Sequence, residues 1–272
     1  SLLYRFAVRA IEQQRWAEAH ERLTELHVRD PQWRPRQGRH PLLLLADVAE
    51  QRGNRADAVR WIAQAQRRGL GRATDWAQGA MLAFALGADF EPLCLALLDA
   101  AEADGWRDVA LYLRRGQLWL RQAERRSVSA TEARRAGLLA DANFAAAVAR
   151  DSGLRDAHAW RIRGLLRVPG SRVDDRANQG SDETLPGLPS PTFLADPTSR
   201  VRVQQALQAL AVAQRQFPDW SWLVKVEAMV WRDWLGDERR AFASLRRYVE
   251  ELAPGDVEAA QAFLELRQRL RE

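Results

Sequence analysis

A recurring spacing of apolar residues constrains the fold more than any other feature of the sequence. An alanine is followed after four residues by a large apolar residue, and after three more by another apolar residue. Five copies of this spacing begin at Ala19, Ala58, Ala140, Ala206 and Ala241. Residues spaced by four and three lie on one face of an α-helix, so each copy predicts one packed helix. Repetition of this kind predicts an array of helical units.

Turn residues between the apolar segments predict where the helices end. A proline follows the third residue of the spacing after five positions at Pro31 and Pro218, and after six at Pro254. The residue before a proline disfavours helix, so these positions are physical stops. Thirteen helices are predicted, at residues 2–13, 16–28, 41–51, 55–67, 74–86, 91–103, 106–126, 131–150, 154–167, 200–216, 220–235, 237–252 and 256–270.

One segment interrupts the array. Residues 168–198 hold five prolines and scattered acids, a composition that excludes regular helix or strand. We predict a long insertion loop at 168–198 inside the fifth repeat, in which Phe193 is a candidate anchor for a partner. The whole chain, 1–272, is predicted to be a single solenoid domain with a capping helix at 256–270.

The first helix of each pair has its own spacing, as in Leu42, Ala46, Ala49 and Gly53, and again in Trp76, Ala80, Ala83 and Gly87. With the second-helix spacing, this resembles the tetratricopeptide repeat (TPR), in a degenerate bacterial form. The resemblance implies an all-α, right-handed superhelical solenoid of about six helix pairs plus the capping helix. Small residues let helix axes approach closely in such a packing. The proline that follows the second helix is missing in the second, third and fourth helix pairs.

The same resemblance implies that first helices line a groove that binds a protein segment. The candidate partner-binding residues lie one turn to either side of the packing residues, and the insertion loop adds Phe193. The groove candidates are His40, Asp47, Glu50, Met81, His158, Arg161, Trp222, Lys225 and Asp233. The Lys/Asn/Arg clamp with which some family members hold a terminal carboxylate is not expected, because Leu43, Asp47, Arg161 and Leu165 stand at its positions.

The charge is basic overall but distributed in bands. The net charge is +5, and Lys225 is the only lysine. Residues 1–70 and 105–170 are basic, whereas residues 71–104 and 171–199 are acidic. Bands of this kind favour docking of a charged partner. An Arg-rich helical-repeat protein that binds nucleic acid or has a regulatory role is the alternative, although abundant acids make nucleic acid the weaker expectation.

The sequence contains no constellation typical of an enzyme. Four histidines and one cysteine, Cys94, are too few and too scattered for a convincing metal site. No Gly-rich phosphate loop is found. We therefore expect no enzyme activity, no cofactor and no metal.

These observations predict a non-enzymatic scaffold or adaptor for protein–protein interaction. We expect protein partners that are subunits of a multi-component, bacterial membrane-associated complex, such as an exopolysaccharide machinery of the Pel kind. No apolar run approaches the ~20 residues of a membrane span, so membrane association is expected only through a segment outside this chain. The expected location is the cytoplasm or the cytoplasmic side of the inner membrane, with the periplasm as an open alternative.

Overall fold

All regular structure in the described part of the chain is helical. The computed structural model describes residues 1–125, 127–166 and 197–270, and no strand occurs in these ranges. This confirms the all-α prediction. The chain divides into two compact units, Ser1–Arg115 and Gly116–Glu272. The insertion-loop prediction at 168–196, including Phe193, lies outside the described residues.

Unit 1 consists of helices that pack chiefly on their neighbours in sequence, as expected for an array of repeats. Its helices are α1 (Leu2–Glu12), α2 (Trp16–Arg29), α3 (Pro41–Gln51), α4 (Arg55–Arg67), α5 (Ala73–Leu86) and α6 (Glu91–Ala103), with a 3₁₀ turn at Ala88–Phe90. Helix α7 (Val109–Glu124) begins in this unit, and the division between the units falls inside it.

Unit 2 also consists of helices that pack on their neighbours in sequence. Its helices are α8 (Ala130–Arg150), α9 (Arg155–Leu166), α10 (Pro197–Gln216), α11 (Ser221–Met229), α12 (Glu238–Arg247) and α13 (Val257–Leu270). Each packs on the next, from α8 on α9 through α12 on α13.

The recurring spacing read from the sequence forms the core of both units. All fifteen residues of the five copies are at most 6% exposed. They are Ala19, Leu23 and Leu26; Ala58, Ile62 and Ala65; Ala140, Phe144 and Ala147; Ala206, Leu210 and Ala213; and Ala241, Leu245 and Tyr248. Burial of these faces is the main term that stabilises helices of this length, because short helices are marginal in water.

Two glycines of unit 2 lie against one aromatic ring. Gly116 in α7 and Gly164 in α9 both face Phe144 of α8. A Cβ added at Gly116 would lie 2.5 Å from Phe144 Cε1, whereas one at Gly164 would lie 3.4 Å from Cε2. The first position therefore has no room for a side chain, and the second has ordinary contact distance.

Helix starts are set by side chains that accept hydrogen bonds from free N–H groups. At α8, Ser129 Oγ accepts from the Glu132 N–H and Glu132 accepts from the Ser129 N–H, as in a capping box. At α13, Asp256 Oδ1 accepts from the Ala259 N–H.

Two predicted starts, those of α7 and α10, are wrong by three residues, and six others, α5 among them, differ by one. Helix α5 begins at Ala73, one residue before the predicted start, and Asp75 accepts a hydrogen bond from the Arg72 N–H. Helix α7 begins at Val109 and not at residue 106, because Asp108 accepts from the Ala110 N–H. Helix α10 begins at Pro197, which removes residues 197 and 198 from the predicted loop. Proline suits the first helical position because its missing N–H would be unbonded there.

Both helices of the last pair end in a π-helical turn. Val230–Trp234 follows α11 and Tyr248–Leu252 follows α12. In these turns the Leu235 N–H bonds to the Val230 carbonyl and the Ala253 N–H to the Tyr248 carbonyl, five residues back. Such turns are rare, and each accommodates about one extra residue.

Candidate protein-binding surface

Two cavities of unit 1 share the lining residue Thr74 of α5, and we call them together the α5 trough. The smaller has a volume of about 260 Å³ and the larger of about 540 Å³. Three first helices, α3, α5 and the start of α7, contribute to them. Two of these helices, α3 and α5, carry residues that the sequence predicted as partner contacts.

The smaller cavity is mostly apolar. Met81, a predicted partner contact, lines it together with Leu98, Trp106 and Leu111. Thr74, Ala77, Gln78, Asp108 and Ala110 complete its wall. A hollow of this volume accommodates one large apolar side chain, whose burial contributes about 1.5–3 kcal/mol.

The larger cavity is polar. His40, a predicted contact, lines it beside Arg39, Arg72 and Asp75. His40 also caps α3, since its Nδ1 accepts from the Leu42 N–H at 3.2 Å. Burial lowers the pKa of His40, and the nearby Arg34, Arg68 and His27 lower it further. The imidazole therefore favours its neutral form.

Arg39 organises the charges of the trough, and the sequence pattern did not single it out. Its guanidinium contacts Asp47 at 3.1 Å and Asp75 at 2.5 Å. Its backbone carbonyl accepts a hydrogen bond from the Tyr4 hydroxyl at 2.8 Å. The contacts with Tyr4 and Asp75 reach 35 and 36 residues along the chain, so no local pattern in the connector 31–40 reveals them.

Asp47 is a carboxylate in an unfavourable environment. Burial raises its pKa to about 6 in spite of the attraction of Arg39, and repulsion from Asp75 and Glu50 adds to the rise. Glu50 accepts a hydrogen bond from Gln78 Nε2 at 2.8 Å. Since Gln78 lines the apolar cavity, the carboxylates and that cavity adjoin.

In unit 2, His158 is a core residue and not a surface contact. It is 3% exposed, its Nε2 lies 3.0 Å from the Ser152 carbonyl, and its ring packs edge-on against Phe217. Burial lowers its pKa. The prediction that His158 contacts a partner is therefore corrected: it stabilises the α9–α10 packing.

The predicted contact Trp222 belongs to an aromatic cluster. Its ring stacks on Trp220 at 5.2 Å, and Trp220 packs edge-on against Phe217. The Arg155 guanidinium lies over both Phe217 and Trp220, at 5.4 and 5.6 Å. Trp222 is half-buried and packs against the core of unit 2.

Lys225 is engaged within unit 2. Its ammonium lies 2.7 Å from Asp256, which also accepts from the Tyr248 hydroxyl at 2.8 Å. Burial raises the pKa of Asp256, but the hydrogen bonds from Lys225, the Ala259 N–H and Tyr248 outweigh it and lower the pKa to about 2. This group joins α11, α12 and α13, which gives Lys225 a structural role.

The two remaining predicted contacts of unit 2 are partly paired. Asp233 pairs with the neighbouring Arg232 at 2.6 Å. Arg161 lies 3.6 Å from Asp141 and is half-buried.

Metal and membrane features are absent from the described ranges. No group of three or more His, Cys, Asp or Glu side chains there could hold a metal ion. Cys94 is buried, and its thiol donates to the Ala80 carbonyl at 3.1 Å. None of the helices described has both the length and the apolar character needed to cross a bilayer.

No family model and no curated protein matches the chain. Solved structures do match. YrrB, described as a TPR protein with an unusual peptide-binding site, has a TM-score of 0.52 at 13% identity, over 90% of this chain and 98% of that one.

Two further solved structures are similar at lower scores. A tetratricopeptide repeat protein from Parabacteroides merdae matches with a TM-score of 0.46 at 12% identity, over 97% of this chain and 87% of its own. A chain of the APC/C hetero-tetramer Cut9–Hcn1 matches with a TM-score of 0.42 at 12% identity, over 96% of this chain. This chain spans 41% of the length of that one. The helices bury the recurring alanine-based faces and pack on their neighbours in sequence order. Together with the similarity to YrrB over 90% of this chain, this shows that the chain has the tetratricopeptide-repeat fold.

Proposed function

We propose that this chain is a non-enzymatic scaffold that binds a segment of a partner protein in the α5 trough. The observation that carries the proposal is the apolar cavity of about 260 Å³ between α5 and the start of α7. A preformed apolar hollow with polar groups at its edge is typical of binding sites. YrrB, which has a similar fold, has an unusual peptide-binding site, and this supports the proposal that the present chain binds a protein segment.

The trough is better suited to holding an apolar side chain of a partner protein than to binding a small-molecule substrate. Its apolar wall is formed by Met81, Leu98 and Leu111. Methionine adapts its shape to different apolar partners. A bound segment that places one large apolar residue in this cavity would extend along α3 and α5 towards Arg39. A few such anchors dominate the affinity of most interfaces.

The wider assembly is a second part of the proposal. We propose that the partner is a subunit of a bacterial membrane-associated complex, with exopolysaccharide synthesis or export as the example, at the cytoplasmic side of the inner membrane or in the cytoplasm. What favours this is the Arg-rich and Trp-rich, degenerate character of the repeats.

Site-specific cross-linking tests the trough. A photo-reactive amino acid replaces Thr74, which lines both cavities, and the cells that express the protein are irradiated. The control places it at Ala96, which is exposed on α6. We expect a discrete protein adduct from position 74 only, and its loss when Met81→Arg is added, because the charge would have to be buried in the cavity.

Mass spectrometry then identifies the adduct after nuclease treatment. Membrane-complex subunits would support the wider assembly. Equal adducts from positions 74 and 96, or adducts that Met81→Arg leaves unchanged, would contradict the proposed function. Adducts that disappear on nuclease treatment would favour the nucleic-acid alternative.

A further inference from the structure

We infer that the segment bound in the α5 trough is basic: it places a large apolar side chain in the cavity beside Met81 and a Lys or Arg near Asp47 and Glu50. The inference rests on the proposed function and specifies the chemistry of its partner. The apolar cavity carries the docking site, and the charge of its surroundings selects the occupant.

Carboxylates outnumber cations around Asp47, which pairs with the trough residue Arg39. Asp75 lines the polar cavity and Asp108 the apolar one. Asp47 and Glu50 of α3 line neither cavity, but they bond to the lining residues Arg39 and Gln78. The charged groups that act on Asp47 are the carboxylates of Asp75 and Glu50 and the single guanidinium of Arg39. Potentials across protein interfaces are complementary, so an excess of negative charge favours a positive partner.

The guanidinium of Arg39 is already shared. Arg39 contacts both Asp47 and Asp75, so it offsets only one of the two charges. The raised pKa of Asp47 shows the result, because burial and the two neighbouring carboxylates outweigh the guanidinium. A second cation supplied by the partner would relieve this repulsion. About a third of the Asp47 side chain is exposed, which leaves it accessible to such a cation.

Hydrogen bonds connect the carboxylates to the apolar cavity. Glu50 accepts from Gln78, and Gln78 lines the cavity beside Met81. Asp108 accepts from the Ala110 N–H at 2.8 Å at the start of α7, and it also lines the cavity. The apolar anchor and the basic residue of the partner therefore lie close together along the bound segment.

The same charges would exclude acidic partners. A segment with Asp or Glu beside its apolar anchor would place like charges together in a partly buried site. Such unfavourable contacts contribute to specificity as much as favourable ones do. The surface is thus selective by charge, whereas the anchor cavity accepts several apolar side chains.

A displayed library of random twelve-residue peptides, selected on the full chain, tests the inference. We expect the enriched sequences to carry Lys or Arg within a few residues of a Leu, Met or aromatic residue. The best peptide is then synthesised with a fluorophore, and its affinity for the wild type and for variants is measured by fluorescence anisotropy.

The key variant is Asp47→Asn with Glu50→Gln. We expect it to bind the basic peptide about tenfold more weakly, the loss that corresponds to one charge-assisted interaction. A control pair, Glu12→Gln with Glu21→Gln, removes two exposed carboxylates of unit 1 outside the trough and should leave the affinity unchanged. Glu50→Gln alone is a milder second variant, because the amide oxygen that it introduces can still accept the hydrogen bond from Gln78.

The outcomes separate this inference from the proposed function. Enrichment of acidic or uncharged peptides whose binding Met81→Arg abolishes would overturn the inference and leave the trough as a peptide site. Equal weakening by the trough variant and the control pair would also overturn it. No enriched sequence at all would count against both proposals.

Discussion

Asp47 illustrates how one residue can be unfavourable for stability and suitable for binding. In the folded chain its carboxyl group has a pKa of about 6, against an ordinary value of 3.8, because it is buried beside Asp75 and Glu50 with only Arg39 as a cation. Strongly shifted groups of this kind cluster at functional sites. The shift has a consequence for stability that can be measured without knowing the partner.

We expect protonation of Asp47 to increase the free energy of unfolding when the pH falls from 7 to 5. Between the two pKa values the folded chain binds a proton at Asp47 and the unfolded chain does not, so lower pH favours the folded state. After allowance for its partial exposure, we expect the wild type to gain about 1 kcal/mol more than Asp47→Asn over this range. Urea unfolding of both proteins at the two pH values measures the difference.

The comparison between the two proteins removes the contribution of the histidines, because both proteins contain the same ones. The same pH dependence in the wild type and Asp47→Asn would contradict the assigned environment of Asp47. A larger gain in the variant would reverse the sign and would mean that Arg39 dominates the site.

At the scale of the helix, packing around Phe144 makes a matched test. Replacing a helical glycine with alanine usually stabilises by up to about 1 kcal/mol, since glycine is a poor helix former. Gly164→Ala has room for its methyl group and should be neutral or stabilising. Gly116→Ala would place its Cβ 2.5 Å from the Phe144 ring and should destabilise the chain by about 1–3 kcal/mol.

Chemical denaturation of the two variants and the wild type measures both effects. The two glycines face the same ring, so each variant is the control for the other. A Gly116→Ala chain as stable as Gly164→Ala would mean that Phe144 moves aside without loss, and that the α7–α8 contact is looser than the structure indicates.

Most of the helices were predictable, and the reasons are local. The buried residues Ala206, Leu210 and Ala213 reveal α10 by their spacing, and the end of α10 follows from Pro218. The cap of α8 follows from Ser129 and Glu132. Such signals depend on residues within one or two turns of one another.

The trough and the role of His158 were less predictable, because they depend on distant partners. Met81 lies on α5 and His40 caps α3, both close to the spacing read from the sequence, but Arg39 reaches Asp75 across 36 residues. His158 was assigned to the groove by its spacing, although Phe217 covers it from another part of the chain. Spacing fixes the face of a helix and does not show what covers it.

For the whole molecule, contacts between sequence neighbours predict local unfolding. In repeat arrays each helix pair is stabilised mainly by the neighbouring pairs. A destabilising substitution in one pair therefore has little effect on distant pairs. Gly79→Ala in unit 1 would place a Cβ 2.6 Å from Ile62 Cγ2. We expect faster amide hydrogen exchange in α4, α5 and α6, and unchanged exchange in α11, α12 and α13.

Gly116→Ala provides the reverse experiment, with faster exchange expected in α8 and α9 of unit 2 and little change in α3 and α4. Hydrogen exchange followed by mass spectrometry resolves the helices separately. A uniform loss of protection in either variant would show that the chain unfolds as one cooperative body.

The π-helical turn at Tyr248–Leu252 also bears on how such chains change during evolution. Pro254 follows Tyr248 by six residues, whereas Pro31 and Pro218 follow Leu26 and Ala213 by five. The wider π-helical turn accommodates this additional residue. Tyr248 therefore remains in the core, although the last helix pair is one residue longer. Single-residue insertions can thus survive inside a helix and not only in the connecting turns. A sequence search that assumes a constant repeat length will misalign the last helix pair, whereas a comparison of the packed helices in the structure will still identify it.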